Sequence, residues 1–387
     1  MIQSVFFLLS VALFQGAVAA PRIIPAPPQL ATEGHILMDA ATGTVIIEEN
    51  AEMRLPPASL TKIMTSYIIA SEIQRGRISL DDLVPISVKA WKMEGSRMFI
   101  REGTEVKVSD LIRGIVIQSG NDASVAMAEF IAGDEQAFAD IMNQFAQKLG
   151  MTRTQFKNAT GLPDEGHYTT AKDLSLLARA LIRDFPEHYK VYKEKYFSYN
   201  DIRQANRNSL LWRDDAVDGI KTGHTQAAGF CLVASAEKED MRLVSVVMGA
   251  TSERARTTES QKLINYGFRY YDSVQLYDGL ESLRRVKVWG GLHESLDVGI
   301  EAPARLTIPN GARSALAAEV TLDPVIKAPV RQGQALGVLR ISLEGETLLE
   351  RPVVALNGVD EAGLVSSLID EVSLFFLSLF SGDPLAL

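Results

Sequence analysis

The hydrophobic pattern of this chain changes period near Asp272, and that change limits the folds open to it. Up to that point apolar residues fall into helical stretches interleaved with a few strand-like runs. From 273 to 357 they alternate with polar residues in short runs such as Arg285–Trp289 and Leu336–Ser342, punctuated by Gly and Pro. A period of two over short, turn-bounded runs is the pattern of half-buried strands, so this stretch reads as a small all-β domain. Residues 20–272 are numerous enough to bury a core of their own and read as a mixed α/β (α+β) domain.

Within that first domain, two strands are expected at His35–Ala40 and Thr44–Glu49, joined by the turn Ala41-Thr42-Gly43. A helix is expected from about Ala58 to Arg75. Pro56 and Pro57 precede it, Gly76 follows it, and Ile63, Tyr67 and Ile68 share a face. A helix-rich stretch from Ser109 to about Asp184 is broken by Ser119-Gly120-Asn121 and by the loop Gly161–Tyr168. Strands at Phe230–Ala236 and Met241–Ala250 flank a polar turn, and a helix at about Thr258–Tyr271 closes the domain.

The ends of the chain have their own signatures. Val5–Phe14 is almost unbroken apolar sequence followed by small residues at Ala17 and Ala19, which reads as a signal peptide over residues 1–19 and an exported protein. Four prolines between Pro21 and Pro28 then make an extended lead-in. Beyond Asn357-Gly358 the chain is expected to turn helical, with 358–387 acting as an amphipathic anchor. On a wheel of about 100° per residue, Leu364, Leu368, Val372, Phe375, Phe376 and Leu379 share one face of 364–381, opposite Ser367, Asp370 and Ser378. No Lys or Arg follows Arg351, so binding to a membrane surface would rest on apolar area and not on attraction to anionic lipid. A net charge of −9 argues against nucleic acid as a partner. The single cysteine, Cys231, leaves no internal disulfide and no thiolate-cluster metal site, and its apolar neighbours mark it as a buried thiol.

Three short motifs carry the chemistry: Ser59-Leu60-Thr61-Lys62, Ser119-Gly120-Asn121 and Lys221-Thr222-Gly223. The first alone is weak, because Ser235-Ala236-Glu237-Lys238 matches it as well. Order, spacing and context make the trio strong. At a helix start, residues i and i+3 share a face, so the Lys62 amine can reach the Ser59 hydroxyl. The free N–H groups of a first turn can bind an oxyanion. Lysine serves as the base only if burial and a second cation, here Lys221, lower its pKa. The plain alternative is a serine cap with a lysine reaching solvent.

The second motif breaks an apolar helical region, so its side chains either cap the next helix or line a cleft. In a cleft, Ser119 can relay a proton to a leaving amine, and Asn121 can hold the lysine and a substrate amide. In the third motif, an edge strand carrying Gly223 lets a peptide lie alongside it, Lys221 supplies charge for a carboxylate, and Thr222 and Thr225 supply hydroxyls. An ordinary loop into a hairpin is the other reading.

The trio, together with Pro57–Thr65, Asn206-Arg207-Asn208 and Asp218–Thr225, resembles the low-molecular-mass penicillin-binding D-alanyl-D-alanine carboxypeptidases along nearly the whole chain. The resemblance implies a penicillin-binding/β-lactamase-like domain with an antiparallel sheet and helices, then a small β domain and an amphipathic tail. It implies Ser59 as acyl nucleophile, Lys62 as proton acceptor and Ser119 as third catalytic residue. Lys221 and Arg207 would bind substrate, and the backbone N–H groups of Ser59 and His224 would form the oxyanion hole. Peptidoglycan stem peptides and β-lactam antibiotics are the implied partners, with no cofactor, at the periplasmic face of the bacterial inner membrane. Some relatives carry a further arginine soon after the last strand of the sheet, for which Arg254 is the nearest candidate.

Other chemistries lack their patterns. His35, His167, His188, His224 and His293 form no H-E-x-x-H, and no G-x-S-x-G occurs. A β-lactamase needs a carboxylate to activate the deacylating water, and Glu165 is the one glutamate in a suitable loop. A non-catalytic wall-binding scaffold that kept the fold is the remaining alternative.

Overall fold

A computed structural model describes residues 24–363. Five antiparallel strands form the sheet of the first domain, in the order Val45–Glu49, Gly34–Asp39, Met241–Ala250, Gly229–Lys238 and Val217–Thr225. Side chains of a strand alternate between faces, and here both faces are covered. Ile36, Met38, Val244 and Val246 pack into a core with the helices Lys62–Gln74 and Ala171–Asp184. Leu37, Leu243 and Val247 pack on the opposite side with Leu263 and Tyr266 of the helix Glu253–Tyr270. Coverage of both faces explains why Phe230–Ala236 and Met241–Ala250 read as apolar runs rather than alternating ones.

Two helix starts differ from expectation. The closing helix begins at Glu253, five residues before Thr258, because the Ser252 hydroxyl caps it by accepting from Ala255 N at 3.0 Å. The helix expected from Ala58 opens as a tight 3-10 turn, Ala58–Thr61, and becomes α-helical at Lys62. Ala58 has a positive φ of 46°, which an α-helix does not admit.

The second module is all β. Its sheet runs in the order Ser282–Lys287, Ser295–Gly299, Glu346–Ala355, Ala335–Leu343 and Leu316–Leu322. Tyr271–Tyr277 and Ala304–Pro309 form a further pair, and Val286, Val298, Leu306, Ile341 and Val353 lie in the core. Residues 358–363 do not turn helical. Val359 is buried and bridges Val330, and Glu361 bridges Gly291, so the chain continues along this module. The signal peptide and the amphipathic stretch 364–381 lie outside the described residues.

The module meets the first domain at one end of its sheet. Thr307 Oγ1 donates to Asp39 Oδ2 at 2.7 Å and lies 2.6 Å from Thr42 Oγ1, and Arg305 donates to the Asp240 carbonyl at 2.8 Å. Strand register puts Asp39 beside Leu243 and Lys238 beside Met241 at that end, with Thr225, Gly229 and Ala250 at the other. Lys221–Thr225 therefore sits away from the junction.

Candidate active site

The turn Ala58–Thr61 sets the geometry of the first motif. In a 3-10 turn, residues i and i+3 eclipse, which aligns Ser59 with Lys62 more closely than an α-helix would. Lys62 Nζ lies 3.1 Å from Ser59 Oγ, 2.7 Å from Asn121 Oδ1 and 2.6 Å from the Thr160 carbonyl oxygen. Asn121 Oδ1 and the Thr160 carbonyl can only accept, so two amine hydrogens go to them. The third partner is a hydroxyl, which can donate to a lone pair on nitrogen. The same hydroxyl can also accept from an ammonium, so the partner set accommodates the neutral amine as well as the charged one. Burial first, and then the charge of Arg207, lower the Lys62 pKa to about 7 against the opposing charge of Asp122.

Ser119 ends a π-helical turn, Gly114–Gln118, in the left-handed region at φ 66°, and Gly120 N closes that turn on the Gly114 carbonyl at 2.9 Å. The Ser119 hydroxyl is buried with no hydrogen-bond partner among the described residues. Neither Ser119 nor Asn121 caps the next helix, which starts at Asn121 on an N-cap Gly120 without a side-chain bond. The Asn121 amide is oriented by both ends, since Nδ2 donates to the Glu94 carbonyl at 2.6 Å. Asp122, which the sequence reading passed over, accepts from the backbone of Met98, Phe99 and Ile100 at 3.0, 2.9 and 3.3 Å and so pins the loop that follows Glu94. An acidic residue opening an apolar helix was its available signal, and the structure buries it fully.

Lys221, Thr222, Gly223, His224 and Thr225 lie on the edge strand Val217–Thr225, against the turn of Ser59. A Cβ on Gly223 would come within 3.1 Å of the Pro57 carbonyl oxygen. Lys221 is buried and donates to the Thr222 carbonyl at 3.1 Å. Burial, then Lys62, Arg207 and Arg256, push its pKa well below the ordinary lysine value. Lys62 and Lys221 repel each other, as expected of two neighbouring cations, and the charge of Arg207 bears on both. The His224 ring stacks on Phe230 with centroids 4.0 Å apart, and Thr225 Oγ1 accepts from Ala228 N at 3.1 Å.

Asn206 and Asn208 hold Arg207 at the rim. Asn206 donates to the Glu194 carbonyl at 3.0 Å, Asn208 to the Gly219 carbonyl at 2.8 Å, and Arg207 Nε to the Gln118 carbonyl at 3.1 Å. Arg254 is exposed, and the guanidinium beside the edge strand belongs to Arg256 instead. Arg256 is buried, donates to the Gly223 carbonyl at 3.3 Å and lies over the Phe230 ring. The helix starts at Glu253, so Arg254 and Arg256 project about 200° apart around its axis.

On the far side of the serine, Thr61 Oγ1 is 3.0 Å from His167 Nε2, and burial lowers that imidazole to about 4, so it stays neutral. The second S-x-x-K match lies within the strand Gly229–Lys238, where Ser235 and Lys238 face opposite sides of the sheet. Among the described residues no group of three or more His, Cys, Asp or Glu side chains could hold a metal ion.

A serine paired with a buried lysine on a turn, between a polar break and an edge strand, is the site of the penicillin-recognising serine enzymes. The chain belongs to the D-alanyl-D-alanine carboxypeptidase family, whose profile matches residues 22–252, and residues 271–361 match the C-terminal domain of penicillin-binding protein 5. It is 43% identical to the D-alanyl-D-alanine carboxypeptidase DacA of Escherichia coli K12, over 92% of this chain and 90% of that protein. DacC of the same strain is 42% identical over 93% and 92%. Penicillin binding protein 5 from Haemophilus influenzae superposes with a TM-score of 0.83 at 38% identity, covering 87% of this chain and all of that one.

Proposed function

We propose that this chain is a serine-type D-alanyl-D-alanine carboxypeptidase that removes the terminal D-alanine of peptidoglycan stem pentapeptides through an acyl-enzyme on Ser59. β-Lactams acylate the same hydroxyl. The observation that carries the reading is the partner set of Lys62: two obligate acceptors and one serine hydroxyl around a buried amine whose pKa is about 7. Neutral Lys62 takes the Ser59 proton as Oγ attacks the peptide carbonyl. The oxyanion accepts from the N–H groups of Ser59 and His224. The substrate backbone runs along the edge strand at Gly223, with the Thr222 and Thr225 hydroxyls beside it. Lys221 and Arg207 receive the terminal carboxylate, whose charge offsets the cations that depress Lys221 and so favours its ammonium form. Ser119 relays that proton from Lys62 to the leaving D-alanine amine, which restores the neutral lysine, and Asn121 holds Lys62 in place. Water then releases the acyl group.

Ser59→Ala tests this: labelling by a fluorescent penicillin and release of D-alanine from a D-Ala-D-Ala peptide both disappear. Stoichiometric labelling of the variant removes Ser59 from the mechanism. The same assay separates the other readings, because a β-lactamase releases no D-alanine and a scaffold neither labels nor hydrolyses. Glu165 is exposed, which favours the carboxypeptidase over a β-lactamase.

We also propose that residues 20–272 form the catalytic domain and that 273–357 serve as a spacer without catalytic groups, joined at the end of the sheet away from Lys221–Thr225. Residues 1–19 direct export, and 364–381 hold the enzyme to the periplasmic face of the inner membrane. No described helix is long and apolar enough to cross a membrane. Removing 363–387 yields an active enzyme that no longer sediments with membranes. If salt strips the full mature protein from vesicles, the apolar account of the tail fails.

A further inference from the structure

We propose that the loop between Lys287 and Ser295 is a second lipid contact, with Leu292 entering the membrane interface beside the C-terminal segment and fixing how the molecule stands on the bilayer. The proposal rests on the reading of 364–381 as a lipid-binding segment and extends it to a site in the folded part.

A single exposed leucine is ordinary, and only its position gives it meaning. Leu292 is 63% exposed, and the loop that bears it is tied to the point where the chain leaves the described structure. Leu292 N donates to the Asp360 carbonyl at 2.9 Å, Ala362 N donates to the Gly290 carbonyl at 2.8 Å, and Gly291 bridges Glu361. Leu364, the first residue of the apolar face of the tail, is two residues past Ala362, a reach of about 7 Å at most. A surface that receives Leu364 therefore comes within reach of the loop that carries Leu292.

The loop is held in shape. Val288 N closes it on the Glu294 carbonyl at 2.8 Å. Beside it, buried Trp289 bonds through its backbone to Ile326 and Ala328 at 2.9 Å each. Turning Leu292 inward would break these bonds. The polar surroundings are of mixed sign, with Glu294, Asp360 and Glu361 against Lys287, Lys327 and His293, so the contact is an apolar insertion and needs no anionic lipid.

Leu280 provides a contrast within the same hairpin. It is 68% exposed but precedes Ser282, which pairs with Gly299, whereas the Leu292 loop joins Lys287 to its partner Ser295. The two leucines sit at opposite ends of a strand about 17–20 Å long.

The test uses the mature full-length chain with Leu292→Cys or Leu280→Cys carrying an environment-sensitive fluorophore. Cys231 is buried and stays unlabelled. With phosphatidylcholine vesicles containing brominated lipid, the probe at 292 shifts to the blue and is quenched, and the probe at 280 is unchanged. Leu292→Asp lowers vesicle partitioning about three- to tenfold, with D-alanine release and thermal unfolding unaltered. Protein that pellets with vesicles while the probe at 292 stays as water-exposed as that at 280 overturns the inference, as does unchanged partitioning of Leu292→Asp. If the full chain does not pellet at all, the reading of the tail falls with it.

Discussion

Gly161 packs so closely on the turn of Ser59 that a methyl group there would lie 1.8 Å from the carbonyl oxygen of Ala58. The neighbouring Thr160 carbonyl accepts from Lys62, and Asn158 Oδ1 fixes the loop by accepting from Gly161 N at 2.7 Å. Gly161→Ala also meets a φ of +84°, which costs a side-chain-bearing residue about 1–2 kcal/mol. The loop must then withdraw and take an acceptor from Lys62. Penicillin acylation of the variant drops by at least about tenfold, and its melting temperature falls by several degrees. Wild-type kinetics in Gly161→Ala would show that the loop does not position the lysine.

Acylation by a neutral Lys62 rises with pH through about 7, the value at which burial and the neighbouring charges hold the amine. Two variants move this limb in opposite directions. Asp122→Asn removes a charge that raises the pKa and shifts the limb to lower pH. Arg207→Ala removes a charge that lowers it and shifts the limb upward. Stopped-flow acylation from pH 5 to pH 9 reads both shifts, and equal or reversed shifts exclude Lys62 as the titrating base.

Stability carries the same signature. With Lys62 held at about 7 against 10.5 when free, the unfolded chain binds more protons between those values, so this residue makes stability rise with pH across the window. Lys62→Met removes the contribution and also relieves the part of the Lys221 depression that the Lys62 charge causes. The variant is thus more stable than the wild type near pH 7, and the advantage shrinks toward pH 9.5. Urea unfolding at three pH values measures the trend, and a constant difference contradicts it.

The two arginines at the start of the last helix of the first domain separate cleanly. Arg256→Ala removes a buried cation from the Gly223 carbonyl and from the surroundings of Lys221, and raises KM for a D-Ala-D-Ala peptide about tenfold or more. Arg254→Ala, on the exposed side, leaves KM and kcat near the wild-type values. Matching effects from both would mean that Arg256 acts only through general charge.

Local chemistry was written in the sequence. Periodicity separated the helix-and-sheet domain from the β module, because strand and helix bury their faces at different spacings. Ser59 and Lys62 were legible as a pair because three residues along one turn is a contact that the backbone itself enforces. Tertiary structure decided the rest. The acceptors of Lys62 come from residues 121 and 160, and no spacing encodes that a backbone carbonyl 98 residues away completes the pocket. Which charges gather around Lys62, and whether Arg254 or Arg256 faces the edge strand, depended on the angle at which each element packs. Charge and hydrogen bonding act through space over a few ångströms, and sequence order alone does not set those distances.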